Sequence, residues 1–245
     1  MFRIIPITFF CVFLNAIYSF GQEDPENTAF VARSLINAKN LYERYIGPQA
    51  GIFNGTDYVD YDNRINGHPY FESEYHSIGT INYFNQEYDS VFFKYDIHKN
   101  LVVVEYYDHA GLGKDLALLT DHVNGFTVQG HEFIKIDKDS NYPSLKEGLY
   151  DNLFTSDSLQ ILVSRKKILN EEISGLIMKR EFLLNDKYFI LKDSSVNRVY
   201  NKRSVLKTLG DHKKELQKFI RQYAINFKSN FENSLLKTTK FYSNL

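Results

Sequence analysis

The residue types that most often perform catalysis occur in this chain without forming a catalytic pattern. Seven histidines are spread along the sequence, and no H-E-x-x-H run places two zinc ligands on one helix face. The G-x-S-x-G run of a strand-to-helix serine nucleophile is also absent. Gly111-Leu112-Gly113-Lys114 lacks the spacing of a phosphate-binding loop, and Asp115 stands where serine or threonine is needed. We therefore expect no metal, no cofactor and no catalytic residue, although a hydrolase with dispersed residues stays open.

One segment combines aspartates with tyrosines and is the candidate binding site. It lies within residues 47–76, which contain four glycines and are predicted to form a long irregular loop. Flat rings beside carboxylates suit a glycan, and three converging aspartates would suit calcium. The alternative is that the aromatic rings plug the open end of the sheet. The candidate residues are Asp57, Tyr58, Asp60, Tyr61, Asp62 and Tyr70.

The N-terminus has the three parts of a secretory signal. Arg3 gives a positive start, residues 4–17 form an apolar run, and Ser19 and Gly21 are small residues at positions −3 and −1. We predict a signal peptide over 1–21, cleavage after Gly21, and export to the periplasm or the extracellular space. An uncleaved N-terminal anchor is the alternative. No later apolar run approaches the about 20 residues that span a bilayer.

The only cysteine, Cys11, lies inside this predicted signal. The mature chain would then contain no disulfide, no cysteine-ligated metal and no cysteine nucleophile. Hydrophobic residues make up 43% of the sequence, which excludes a disordered chain. We expect residues 22–245 to form a single globular domain held together by its own core.

Charge is distributed unevenly along the chain. Residues 22–197 contain 17 Lys and Arg against 27 Asp and Glu, whereas residues 198–245 contain 11 against 3. The basic tail either docks on the acidic body of the same protein or meets an anionic surface, such as lipid head groups or an acidic partner. Nucleic acid is not expected, because no binding motif is present. The predicted basic docking face consists of Lys213, Lys214, Lys218 and Arg221.

Hydrophobic periodicity divides the mature chain into four parts. Residues 22–46 predict a helix, 47–76 an irregular loop, 77–200 a β-rich body and 201–245 a basic helical tail. Alternating apolar residues separated by short polar links predict an antiparallel meander over 77–84, 88–97 and 101–107. Seven more strands are predicted at 116–119, 126–129, 133–136, 159–164, 177–184, 188–191 and 196–200.

The expected fold class is α+β. It comprises a large curved antiparallel β-sheet (a meander, roll or half-barrel), an N-terminal helix and a C-terminal amphipathic helix. Asp211 is the predicted N-cap of the last helix. Its apolar face is predicted to contain Leu216, Phe219, Ile220, Tyr223 and Phe227.

Two parts of the chain have a distinctive patterning of aromatic, charged and aliphatic residues. The first part is Gly79-Thr80-Ile81-Asn82-Tyr83, Tyr88-Asp89-Ser90-Val91 and Tyr95-Asp96-Ile97. The second is Tyr188-Phe189-Ile190-Leu191, residues 199–206 and residues 213–220. This patterning resembles uncharacterised, signal-peptide-bearing exported proteins of Bacteroidota. The resemblance implies an envelope location and carries over no activity and no catalytic residue.

Taken together, these patterns predict an exported cell-envelope protein that acts as a non-catalytic, ligand- or partner-binding β-rich module. Its candidate partners are an envelope lipid, a glycan or another envelope protein. Two alternatives remain open at this stage. One is a hydrolase acting on an envelope glycan or lipid through a dispersed site, and the other is a structural or assembly protein.

Overall fold

The structure is a computed structural model that describes Ser34 and residues 51–245 apart from 108, 109, 139–141, 143, 176 and 194. The predicted signal peptide and, except for Ser34, the predicted helix over 22–46 lie outside these residues. The chain divides into two units at Gly47, and the sheet and helices described here belong to the second, Pro48–Leu245.

The α+β prediction is wrong. Strands hold 47% of the described residues and helices 21%, so this part of the chain is mostly antiparallel β-sheet. Two long strands, at 148–155 and 167–174, were not predicted. The second is polar along much of its length and pairs through its backbone within a hairpin, so an apolar period could not reveal it.

Thirteen strands are described. They are β1 (Gly55–Asp57), β2 (Ser77–Tyr83), β3 (Gln86–Asp96), β4 (Leu101–Tyr107), β5 (Gly113–Leu118), β6 (Val123–Val128), β7 (His131–Ile136), β8 (Gly148–Thr155), β9 (Leu159–Ser164), β10 (Lys167–Ser174), β11 (Ile177–Leu184), β12 (Lys187–Lys192) and β13 (Ser195–Val199). The three strands β2 to β4 lie within two residues of the predicted bounds 77–84, 88–97 and 101–107.

Eleven of these strands form one antiparallel sheet in the order β1-β5-β4-β3-β2-β6-β7-β8-β9-β12-β13. Its two halves are meanders that run outward in opposite directions from a central pair, β2 and β6. The remaining strands, β10 and β11, form a separate hairpin inserted between β9 and β12. Because β9 and β12 pair directly, the hairpin interrupts the chain without interrupting the sheet.

The helical tail consists of three short helices, α1 (Lys202–Thr208), α2 (Lys213–Gln222) and α3 (Phe231–Tyr242). Asn201 caps α1 by accepting a hydrogen bond from the Ser204 backbone amide, and Asn230 caps α3 in the same way. Ala224 has a φ of 48°, which is incompatible with continuing α2. Phe227, predicted on the apolar face of one long helix, therefore follows the end of α2.

Alternate residues of β9 separate the two faces of the sheet. Ile161 and Val163 belong to the core between the sheet and the helices, together with Leu216 of α2 and Leu235 of α3. Leu162, which lies between them in sequence, belongs to a second cluster on the opposite face. The three helices therefore cover one face at this end of the sheet.

Candidate functional site

The predicted binding loop folds onto the buried carboxylate of Asp96, near the end of β3. The hydroxyls of Tyr58 and Tyr61 each donate a hydrogen bond of 2.9 Å to Asp96 Oδ2. The backbone amides of His98 and Lys99 donate bonds of 2.8 Å to Oδ1. Asp96 is 0% exposed, so these four donors replace its water. Burial, together with the charge of Asp96, raises the pKa of both tyrosines well above the usual range.

The remaining groups of this cluster also satisfy one another. Tyr70 donates a hydrogen bond of 2.8 Å to Asp60, and its ring lies 4.5 Å from Lys94 Nζ. Lys94 lies 2.7 Å from Asp115 Oδ2. Burial alone would lower the pKa of Lys94, but the bond to Asp115 raises it. Four of the six predicted residues (Tyr58, Asp60, Tyr61 and Tyr70) therefore come together, and their described contacts fasten the loop to the sheet.

The other two predicted residues lie elsewhere. Asp57 is in β1, paired with Leu116. Asp62 binds Arg64 Nη2 at 2.6 Å and Arg180 Nη2 of β11 at 2.5 Å. The hydrogen bonds from Arg64 hold the pKa of Asp62 far below its usual range. Within the described part of the chain, no three His, Cys, Asp or Glu side chains are placed to hold a metal ion. Ligand binding by the six residues stays a prediction.

A second polar cluster was not foreseen from the sequence and centres on Arg165, directly after β9. Its side chain is 6% exposed. It donates to Asp151 Oδ2 from Nε at 2.8 Å and from Nη2 at 2.5 Å. Its Nη1 donates to Asp186 at 2.9 Å and to Glu232 of α3 at 2.6 Å. Burial alone would lower the pKa of Arg165, but these carboxylates raise it.

The Arg165 cluster also contains a histidine–aspartate pair. His131 Nδ1 lies 2.9 Å from Asp151 Oδ2, and this hydrogen bond raises the pKa of His131. Such a pair activates a nucleophile in hydrolases when a hydroxyl or thiol contacts the other ring nitrogen. Among the described residues no serine, threonine or cysteine is hydrogen-bonded to His131. The contacts of the cluster join β7, β8, the β11–β12 link and α3, so the cluster holds these elements together.

The four residues of the predicted basic docking face all lie in α2. Lys213, Lys214, Lys218 and Arg221 are exposed on it, whereas Leu216 and Ile220 are buried against the sheet. Lys214, Lys218 and Arg221 line one shallow groove together with Gln222. Lys213 lines a neighbouring groove with Lys202, Arg203 and Lys207 of α1. None of these cations has an ion-pair partner in the described portion of the protein.

No helix within the described residues has the length and apolar character needed to cross a membrane. Comparison of the sequence with protein-family models, and of the chain with curated proteins and solved structures, finds no match.

Proposed function

We propose that this protein is an exported, non-catalytic binding module of the cell envelope that docks on an anionic lipid surface through its helical tail. The docking face is formed by Lys213, Lys214, Lys218 and Arg221 of α2. The observation that supports it is that the tail forms its ion pairs with the rest of the protein through its acidic residues.

Those ion pairs use the acids of the tail. Asp211 lies 3.0 Å from Lys192 Nζ of β12, and Glu232 lies 2.6 Å from Arg165 Nη1. Hydrogen bonds from Tyr242 and Lys192 lower the pKa of Asp211 to about 2, so it stays ionised. The apolar residues of the helices hold them on the sheet, and the described ion pairs leave the basic residues of α2 facing solvent. These contacts therefore do not support docking of the basic tail on the protein's own acidic body.

The arrangement of the cations favours an extended surface over a single small ligand. They line two adjacent shallow grooves along α1 and α2. Phosphate head groups of a bilayer present negative charge in a similarly extended array. Tyr223, which directly follows α2, is 62% exposed. Tyrosine is a residue that favours the membrane interface. Each Lys or Arg near an anionic bilayer contributes about 1 kcal/mol at most, so four give weak, salt-sensitive binding.

The test is sedimentation with lipid vesicles. We expect the protein to sediment with vesicles that contain phosphatidylglycerol, to do so less as NaCl rises, and not to sediment with pure phosphatidylcholine. Replacing Lys213, Lys214, Lys218 and Arg221 by glutamine should lower the partition coefficient by about fivefold per charge.

A variant of equal net charge serves as the control. Replacing Lys146, Lys166, Lys187 and Arg198 by glutamine removes four exposed cations from the opposite face of the sheet. We expect this variant to keep vesicle binding. An equal loss in both variants would contradict a defined face, and binding to phosphatidylcholine would contradict electrostatic docking. Export itself is tested by the N-terminal mass of the protein from the envelope fraction, which should begin at Gln22.

A further inference from the structure

A cleft of about 440 Å³ lies on the face of the sheet opposite the helices. Its lining includes Tyr150 and Phe189, whose ring centroids lie 6.1 Å apart and which belong to the cluster on that face. Ser164 lies beside them, because it pairs with the first residue of β12. The turn after β3, residues 97–100, supplies one side of the cleft. The volume lies within the about 300–1,000 Å³ of small-molecule sites.

The cleft is lined by four exposed cations, Lys146, Lys166, Lys187 and Arg198. Among the described residues of the lining, Glu147 is the one carboxylate, and His98 adds an imidazole ring. Arg165 also contributes to the lining, but its guanidinium is bound to the carboxylates on the other face. Within the described residues, none of the four cations has an ion-pair partner.

Three of the four cations belong to the acidic part of the chain, and Arg198 is the first residue of the basic part. Residues 22–197 carry ten more acidic than basic residues, since 27 minus 17 is ten. Other cations of the sheet do have carboxylate partners, as Lys94 has in Asp115, Lys135 in Asp137 and Lys192 in Asp211. Unpaired like charges close together repel one another, so their concentration in one cleft costs stability unless an anion binds there.

The positions of the cations relative to the aromatic floor indicate what kind of anion fits. Arg198 pairs across the strands with Phe189, so the two side chains leave the same face of the sheet side by side. Lys187 lies two residues before Phe189 and shares that face. Arginine and lysine bind phosphate oxygens through charge-assisted hydrogen bonds, and flat rings pack against the apolar face of a sugar.

We propose that this cleft is a binding site for a small organic anion with two phosphate groups, such as a sugar bisphosphate. The cations Lys146, Lys166, Lys187 and Arg198 bind the phosphates, and Tyr150 and Phe189 form the floor beneath the organic part. This site is separate from the docking face, because the two lie on opposite faces of the sheet.

Isothermal titration calorimetry of the intact protein tests the site with fructose 1,6-bisphosphate as the probe. Fructose and sodium sulfate, at matched ionic strength, are the comparison ligands. We expect saturable one-to-one binding of the bisphosphate and none of fructose. Replacing Lys187 by glutamine should weaken binding about tenfold, and the fourfold variant K146Q/K166Q/K187Q/R198Q should show no binding.

Arg198→Lys keeps the charge and removes the bidentate guanidinium, so it should weaken binding less than Arg198→Gln does. The variant K213Q/K214Q/K218Q/R221Q removes the same net charge from the docking face and should keep bisphosphate binding. All replaced residues are exposed, and circular dichroism checks that each variant is folded. Equal binding of sulfate and the bisphosphate, no binding to the wild type, or unchanged binding by K146Q/K166Q/K187Q/R198Q would overturn the proposal. Because vesicle sedimentation reports on the other face, failure of either proposal leaves the other testable.

Discussion

At the scale of single residues, the Arg165 cluster shows how a buried charge is tolerated in this sheet. The guanidinium offers donors in a fixed fork, and three carboxylates from different parts of the chain accept from it. Removing one partner from such a cluster leaves the others buried and uncompensated, which costs more than the net contribution of the ion pairs. The cluster also contains His131, whose protonation state the same carboxylates influence.

Replacing Arg165 by methionine should therefore lower the free energy of unfolding by about 3–5 kcal/mol, because Asp151 would stay buried without the guanidinium and with only His131 beside it. Urea denaturation followed by circular dichroism measures this change. Arg64→Ala is the matched control, since that side chain is 81% exposed in its pair with Asp62 and should cost at most about 1 kcal/mol. Equal losses in the two variants would show that burial does not decide the cost.

The pKa of His131 predicts a dependence of stability on pH. The hydrogen bond and charge of Asp151 raise this pKa above its unfolded value of about 6.5, so protonated His131 favours the folded state. Its contribution is complete below about pH 6.5 and is lost as the pH rises through the folded pKa. His131→Gln should flatten this decline in urea denaturation midpoints measured from about pH 6 to about pH 8.

The control for this prediction is His68, whose pKa is shifted in the opposite direction. Burial lowers the pKa of His68, so its protonation favours unfolding and stability is lost as the pH falls through its folded pKa. His68→Gln should raise stability on the acidic side and leave the alkaline decline unchanged. An unaltered pH profile for His131→Gln would count against the histidine–aspartate pair.

At the scale of elements, the pairing of β2 with β6 joins the two halves of the large sheet. Both neighbours of β2 crowd Gly79, which pairs with Val91 on one side and Val128 on the other. A Cβ at Gly79 would lie 2.0 Å from the carbonyl oxygen of Thr127 and 2.8 Å from the ring of Phe93. Glycine is therefore needed here for close approach, and the backbone oxygen cannot move without disturbing the ladder.

Gly79→Ala should destabilise the protein by at least about 2 kcal/mol, because the added methyl group must push β2 and β6 apart. Gly210→Ala is the matched control, since a Cβ there meets no atom within 4 Å. It should be neutral or stabilise by up to about 1 kcal/mol through the unfolded state. Thermal unfolding of both variants checks this, and a similar transition midpoint for the two would refute the crowding of Gly79.

At the largest scale, that of the described fold, basic residues without carboxylate partners gather on two surfaces. One is the helical docking face and the other is the cleft on the opposite face of the sheet. The acids of the tail, Asp211 and Glu232, are paired with basic residues of the sheet. A nearly neutral chain thereby presents two separate positive surfaces, which explains why its net charge of −1 says little about its partners.

Local features of the fold could be predicted from the order of residues alone. Alternating residues and short polar links placed β2 to β4, and amphipathic spacing placed α2 with Lys213, Lys214, Lys218 and Arg221 on its exposed side. Periodicity depends only on neighbours along the chain, so these features are readable without a structure. The spacing also identified four tyrosine and aspartate residues that do cluster. It did not identify Asp96, which accepts hydrogen bonds from two of them.

Which distant residues meet could be learned only from the folded chain. β2 pairs with the remote strand β6 as well as with its neighbour β3, and Arg165 contacts Glu232 from 67 residues away. Lys146, Lys166, Lys187 and Arg198 come from four separate segments, and no spacing along the chain marks them as a group. The wrong prediction of the fold class has a different cause. Strand pairing is made by backbone hydrogen bonds, so a polar strand such as β10 pairs with its neighbour β11 without any apolar period.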